Sequence, residues 1–412
     1  MTKPTILIIA GGKNSRFFPL NTYTHKGFIE LLGKPLIVRA LEDLEQHGFT
    51  QIILVVSQKD NRPKKIRQWQ EQYDLTLDIR LVLQPEAHGQ GNAILHGAEC
   101  IDGDFILASP YYTNMGELAA KLWQKKQESG ADCVLLSSPS KNPALEGILS
   151  IEGDRVTGVI EKPAPGAEPS KIKVRSVYLF DQSFLKVLKE TNQEEYSLEA
   201  AYDTHCKTAF YTHVETTASL PSLKYSWHLF DMFQALMKAE TTHISEHAQI
   251  AESAEIDDSN GPVIVADGAR VLSFAKLVGP CYIGKNTLVG DYTLVREGSL
   301  EEGAVAGSNT EVARSILLSG ATIHYGYLAD SIVGQNSKVG AGLITANKRL
   351  DRAVIKTKLK GTMIEMGTNR AGVITGEDSA LGIRVSTMPG VLIGAHAQVL
   401  PGTTVEKNIE HA

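Results

Sequence analysis

Aliphatic residues recur at every sixth position through much of the second half of this chain. Val265, Val271, Leu277, Ile283, Val289 and Val295 form one unbroken ladder. The same step joins Ile244, Ile250 and Ile256, and again Ile393, Val399 and Val405. An α-helix repeats at about 3.6 residues and a strand at about 2, so neither produces this spacing. A β-solenoid does: each coil is built from three short faces, and each face turns one aliphatic side chain inward. Glycine often follows that residue, as in IGKNTL, VGDYTL and IGAHAQ. The rhythm lapses near residues 348–376, which predicts a loop or insertion there. Such a solenoid can be a plain scaffold, and its flanks favour side-by-side association into a closed homo-oligomer.

The first 240 residues follow another rhythm. PTILIIA (4–10), QIILVVS (51–57), IRLVLQ, FILAS and CVLLSS are apolar, strand-like runs separated by helical stretches such as PLIVRALEDLEQHG. Continuous apolar strands alternating with helices predict an α/β domain with a mostly parallel sheet covered on both faces. The expected domains are therefore 1–240 and 241–412, and 412 residues exceed what one ordinary core organises.

Composition narrows the function. A net charge of -6 argues against a general nucleic-acid binder, though a local phosphate site needs no basic protein. Cys100, Cys133, Cys206 and Cys281 are widely spaced with no CxxC pair, so neither structural zinc nor a disulfide framework is expected. The opening apolar run is too short for a membrane span and lacks a signal-cleavage pattern, so a cytoplasmic location is expected.

The first strand runs into AGGKNSRFFPL. Gly11 and Gly12 let backbone amides approach a phosphate, and Arg16 can add a charge-assisted contact. Lys26, in THKGFIELLGKPLI, can supply a second cation. The spacing suits equally a tight strand-to-helix turn with a solvated arginine and lysine.

These segments resemble the opening motif of the sugar-1-phosphate nucleotidylyltransferases, in which AGG-x-G-[ST]-R is followed by a Pro-Lys pair and GKPLI. Gly11, Gly12, Ser15, Arg16 and Lys26 stand at matching positions, whereas Asn14 replaces a glycine and His25 a proline. QPEAHGQGNAI (84–94) is similar to the family's base-reading stretch, which implies Gln84 and Gly89 on a pyrimidine edge, hence UTP or dTTP. EGILSIEGDRVTGVIEKP (146–163) matches the hairpin that implies Gly147, Glu161 and Lys162 on the sugar phosphate. In YSWHLFDMFQAL (225–236), Asp231 matches a magnesium-ligating position. The implied reaction is in-line attack by the sugar-phosphate oxygen on the nucleotide's α-phosphorus with loss of pyrophosphate. It needs alignment and charge neutralisation, here by Arg16, Lys26 and Mg2+, with no covalent intermediate.

A second resemblance lies inside the solenoid. GATIHYGYLADSIVGQNSKVGAGLITAN (320–347) is similar to the left-handed β-helix half of the bifunctional N-acetylglucosamine-1-phosphate uridylyltransferases and their archaeal relatives. His324, Tyr327, Asp330, Gly340, Ala341, Gly342, Thr345 and Asn347 all match. The resemblance implies acetyl-CoA as co-substrate, a sugar amine as acceptor, and a trimer as the favoured assembly. The attacking amine must lose a proton, and histidine's ordinary pKa suits that role, so His324 is the candidate base. Arg296 matches a substrate-phosphate arginine and Tyr327 joins it as a candidate sugar-phosphate residue. A lysine expected near 313 is Ala313 with Arg314 beside it, and Lys338 replaces an asparagine.

One departure concerns the N-terminal chemistry. In the family the strand matching DFILASPYYTN (104–114) ends in Gly-Asp, and that aspartate is the principal magnesium ligand. Pro110 and Tyr111 occupy those places, or Ser109 and Pro110 if the alignment shifts by one. Neither supplies a carboxylate, and Asp102 and Asp104 precede the strand. Three functions follow. The first is an NDP-sugar-forming nucleotidylyltransferase with the solenoid as a second transferase or oligomerisation domain. The second is an acetyl-CoA-dependent sugar-phosphate N-acetyltransferase whose N-terminal half only binds. The third is a non-catalytic sugar or nucleotide sensor or scaffold. Retention of Arg16, Lys26, Gln84, Gly89, Glu161, Lys162 and Asp231 favours the first, and the strand end favours the others.

Overall fold

A computed structural model describes residues 2–410 apart from 23, 59, 61, 193–195, 219 and 220. The chain divides into two compact units: Met1–Lys13 with Leu36–Leu220, and Asn14–Pro35 with Pro221–Ala412. The loop that follows the first strand thus belongs with the C-terminal unit.

The first unit is an α/β layer structure. Its strands are β1 (Thr5–Ala10), β2 (Gln51–Ser57), β3 (Asp78–Gln84), β4 (Phe105–Ala108), β5 (Cys133–Pro139), β6 (Gly147–Glu152), β7 (Arg155–Glu161), β8 (Ile172–Phe180) and β9 (Tyr211–Glu215). They form one nine-stranded sheet in the order β9-β5-β8-β4-β1-β2-β3, with β6 joined to β8 and β7 joined to β6. β1 pairs in parallel with β2 and β4, and β2 with β3, as the apolar runs imply. β8 runs antiparallel to β4 and β5. The expectation of burial on both faces holds for β1, β2 and β4 but not for IRLVLQ. That run is β3, the edge strand, and it leaves Leu81 42% and Leu83 58% exposed. Helices α1 (Leu36–Gln46), α2 (Ile66–Gln72), α3 (Gly89–Ala98), α4 (Met115–Ser129), α5 (Ser183–Glu190) and α6 (Ser197–His205) cover the faces. Asp43 of α1 accepts the Gly116 amide at 2.6 Å and the Glu117 amide at 3.1 Å, which holds the start of α4 against α1.

The second unit contains α7 (Leu229–Met237) and three eight-stranded parallel sheets, the faces of a β-helix. The predicted aliphatic ladder lines its interior: Val265, Leu277, Ile283, Val289 and Val295 are all fully buried. The six-residue step stops being legible after Val295 because the coils shorten. Register carries the core position from Ile283 to Leu300, Leu317 and Val333, steps of 17, 17 and 16 residues in place of 18. The predicted interruption is a hairpin, Lys356–Leu359 with Thr362–Glu365, inserted where one sheet passes from Ile332 directly to Ile374. Among the described residues, no helix is long and apolar enough to cross a membrane.

The glycines after the inward aliphatic residues have one physical cause. A Cβ on Gly334 would lie 2.2 Å from the Gly376 carbonyl oxygen of the next coil, and only backbone surrounds it. Coils pair amide to carbonyl at this corner, leaving no space for a side chain. Gly334→Val is therefore expected to destabilise the β-helix by about 1–3 kcal/mol through forced separation of two coils. A denaturant titration followed by circular dichroism checks it, and an unchanged midpoint contradicts this packing account.

Candidate functional site

In an open α/β sheet, ligands meet the carboxyl ends of the strands. In the first unit that edge holds Gly11 and Gly12 after β1, Gln84 ending β3, and Ser109-Pro110-Tyr111 after β4. A Cβ on Gly11 would fall 2.4 Å from Gln84 Oε1, whereas one on Gly12 would meet nothing within 4 Å. Gly11 is thus required for internal packing, and Gly12 leaves its backbone approachable. Gln84 is 2% exposed, and its Nε2 donates to Asn92 Oδ1 of α3 at 2.8 Å. Its carboxamide is held between β1 and α3. Gly89 opens α3 with φ +90°, a conformation that favours glycine.

The neighbouring hairpin gathers the sugar-phosphate candidates. Gly147 pairs with Glu161 in register, and a Cβ at 147 would sit 2.9 Å from Glu161 Oε2. Lys162, at φ +50°, turns its ammonium to within 3.9 Å of Glu161, and both side chains are exposed. Beside them lies a cluster that sequence reasoning passed over. Tyr178 and Tyr202 are buried with ring centroids 6.2 Å apart, and both feel Glu161 and Glu199. Burial, then the neighbouring phenols and carboxylates, raises both hydroxyls well above the ordinary tyrosine value. Tyr178 lies on β8 and Tyr202 on α6, and the fold brings that helix alongside the strand.

The end of β4 is aromatic. Tyr111 and Tyr112 meet edge to face at 5.1 Å, and Tyr112 shares a hydrogen bond with the Arg175 guanidinium from β8. Burial raises both phenols, so they remain protonated and neutral. Asp104 lies before β4, as expected, and pairs with Lys126 at 3.2 Å.

In the second unit, the Asn14–Pro35 loop carries the two candidate cations. Asn14 stands at φ +45°, which explains the replacement of a glycine: asparagine tolerates that region better than most residues. Ser15 and Arg16 form a short 3-10 turn with Phe17, and Arg16 is exposed. Lys26 donates to the Leu223 carbonyl at 2.7 Å. Burial, and then the charge of Arg16, lowers Lys26 to about 8. His25 is buried, accepts the Gly27 amide on Nδ1 at 3.1 Å, and is held neutral by burial and Lys26, its pKa lowered to about 3. Asp231 is exposed in the first turn of α7, and His228 feels both Asp231 and Lys26.

Within the β-helix, His324 is exposed at a corner and lines a cavity of roughly 550 Å³ with Gly307, Ser308, Asn309 and Tyr325. Arg296 and Tyr327 do not line it; they lie on the next sheet, two coils apart, with the Glu311–Ala313 strand between them. Arg296 is engaged by Glu311 through Nε at 3.1 Å and Nη2 at 2.8 Å. Arg314 forks onto Asp330 at 2.7 and 3.0 Å, and Asn347 also donates to Asp330. Asp330 and Asn347 therefore brace the coil.

The cysteines are all reduced. One group that their spacing concealed is Cys133, Asp181 and His205, whose ligand-type atoms lie within 4.8 Å of one another. Each is already engaged: Ser183 Oγ reaches Asp181 at 2.7 Å and His205 Nε2 at 2.8 Å, and His205 Nδ1 meets the Tyr211 hydroxyl at 2.9 Å.

The first unit carries a glycine turn at its sheet edge, and the second unit carries the two-cation loop and the β-helix. The nucleotidyl transferase family model matches residues 5–241, and the chain belongs to that family. Similarity extends beyond it. A bifunctional sugar-1-phosphate nucleotidylyltransferase/acetyltransferase of Sulfurisphaera tokodaii is 26% identical over 415 residues, covering 98% of this chain and 97% of the relative. The bifunctional protein GlmU of Methanocaldococcus jannaschii is 26% identical over 410 residues, covering 98% and 95%. Among solved structures, the UTP-bound UGPase of Acinetobacter baumannii matches with a TM-score of 0.51 at 17% identity, over 58% of this chain and 95% of that one. That likeness shows the α/β fold.

Lys26 loses its proton as pH rises through about 8. Binding of inorganic pyrophosphate to this loop is therefore expected to weaken by about tenfold between pH 7 and 9. Lys26→Arg should flatten that dependence in calorimetric titrations; an equally steep variant would show that another group titrates.

Proposed function

We propose that this protein joins a pyrimidine nucleotide to a sugar-1-phosphate through residues 1–240 and carries an acetyltransferase site in residues 241–412. The observation that carries the first activity is the two-cation loop. Burial, and then the charge of Arg16, lowers Lys26, and a bound polyphosphate relieves the second of these. The Sulfurisphaera tokodaii relative, similar over nearly its whole length, is named for both activities.

In the forward reaction a sugar-phosphate oxygen bonds to the α-phosphorus of UTP or dTTP, the bond to the β-phosphate oxygen breaks, and pyrophosphate leaves. Arg16 and Lys26 neutralise the phosphates, and the amides around Gly12 approach them. Gln84 and Gly89 face the base side, and Gly147, Glu161 and Lys162 the sugar phosphate. Magnesium, when bound, supplies charge neutralisation of the same phosphates. The end of β4 does not fit such an ion: it offers neutral phenols, with the Arg175 cation bonded to Tyr112. Asp231 is the exposed carboxylate that the family pattern assigns to the metal.

Incubation with UTP or dTTP, magnesium and a panel of sugar-1-phosphates should release pyrophosphate. Tyr111→Asp should raise the magnesium-dependent rate, because it restores a carboxylate where the family has one. Silence from both proteins across the panel overturns this reading.

The strand end favours a second reading, in which the N-terminal half binds without turnover and acyl transfer is the working reaction. There the sugar amine attacks the thioester carbonyl, His324 takes the amine proton, and the thiol of coenzyme A leaves. The cavity beside His324 supports it. Arg296, occupied by Glu311, is a poor phosphate ligand unless the acceptor displaces that carboxylate. Thiol release from acetyl-CoA with glucosamine-1-phosphate is expected to fall about 10²–10⁴-fold in His324→Ala. An undiminished rate removes His324 from the chemistry.

A further inference from the structure

Glu301 is a glutamate with no exposure to solvent, placed just after the Ser299–Leu300 strand of the β-helix. Its two carboxylate oxygens accept the backbone amides of Leu32 at 3.0 Å and Gly33 at 2.9 Å. Ser299 Oγ donates to Oε1 at 2.5 Å. Leu32 and Gly33 are the tip of a hairpin, Glu30–Leu31 with Lys34–Pro35, and belong to the loop that carries Arg16 and Lys26. Both tip residues have positive φ, +51° and +68°, as a two-residue hairpin turn of this kind requires.

Other contacts seat the same tip. A Cβ on Gly33 would fall 2.3 Å from the Tyr282 hydroxyl oxygen, so only glycine fits against that ring. Ser319 Oγ donates to Glu30 at 3.3 Å. Further along the loop, a Cβ on Gly376 would lie 2.9 Å from the Pro19 carbonyl, placing loop backbone against a β-helix corner.

A buried carboxylate is costly to keep unless its oxygens are satisfied. Burial pushes Glu301 up to about 7, and the bonds from Ser299, Gly33 and Leu32 oppose that rise. Nothing in the coil's own packing needs a charge here, since the equivalent place one coil earlier is Gly284. The group is accounted for by the hairpin it holds.

We propose that Glu301 is a positioning residue for nucleotidyl transfer: through the Leu32 and Gly33 amides, the β-helix fixes the loop that presents Arg16 and Lys26. The β-helix would then contribute to the N-terminal chemistry independently of any acyl transfer at His324. The proposal rests on the nucleotidyl-transfer reading of those two cations.

Glu301→Gln keeps the shape but turns one acceptor into a donor facing an amide. In the full chain it is expected to lower kcat for pyrophosphate release by about 10–100-fold, the scale of an ångström-level misplacement. Thiol release at the His324 site should stay unchanged, and hydrogen exchange across residues 24–35 should accelerate. Gly33→Ala attacks the same contact from the loop side, and adding Tyr282→Phe, which removes the obstructing oxygen, should recover part of the lost rate, the remainder reflecting alanine strained at φ +68°. Unchanged exchange, or faster exchange with unchanged kcat, overturns the proposal. If the wild type releases no pyrophosphate, the functional reading fails, and UTP affinity decides instead. Weaker UTP binding in Glu301→Gln then sustains positioning, and equal binding overturns it.

Discussion

Backbone pairing between successive coils is the constraint on which the C-terminal unit depends. Each coil offers its amides to the carbonyls of the next, and every inward aliphatic residue packs between others of its row. That leaves two kinds of position with little freedom. Corners pressed backbone to backbone take glycine, as at Gly334. Corners turning through positive φ often take asparagine or glycine, as at Asn286, Asn336 and Gly303, though Phe274 and Tyr292 stand there too. Because the stack is rigid, side chains leaving its corners are held in fixed directions. His324 faces its cavity from one corner and Glu301 grips the hairpin tip from another.

The electrostatics of the candidate site form a second theme. Arg16 and Lys26 share one loop, with the lysine lowered to about 8, while the end of β4 offers two neutral phenols and the Arg175 cation nearby. Two neighbouring cations on one loop attract phosphate charge. In the β-helix the balance is reversed: Arg296 and Arg314 are neutralised by Glu311 and Asp330.

Some residues were missed for physical reasons. Tyr202, Glu199 and Arg175 carry no motif, and they meet Tyr178 or its neighbours because β8 enters the sheet antiparallel and α6 packs beside it. IRLVLQ was read as a doubly covered strand because its composition is that of an interior strand, yet strand order places it at the edge. Glu301 follows an apolar residue in an ordinary-looking repeat, and nothing local marks its burial.

The sequence by itself determined the two architectures, because periodicity is a local property: six-residue spacing dictates a three-faced coil, and alternating apolar runs and helices dictate a layered sheet. It also placed the glycine turn, the cation loop and the His324 segment, since backbone geometry and charge can be read one residue at a time. Only the tertiary structure decided what those elements meet. It assigned the Asn14–Pro35 loop to the β-helix unit, satisfied Arg296 with a carboxylate, and set Glu301 beneath a hairpin tip nearly 270 residues away in sequence. Such pairings follow from strand order and coil register, which no single stretch of chain encodes.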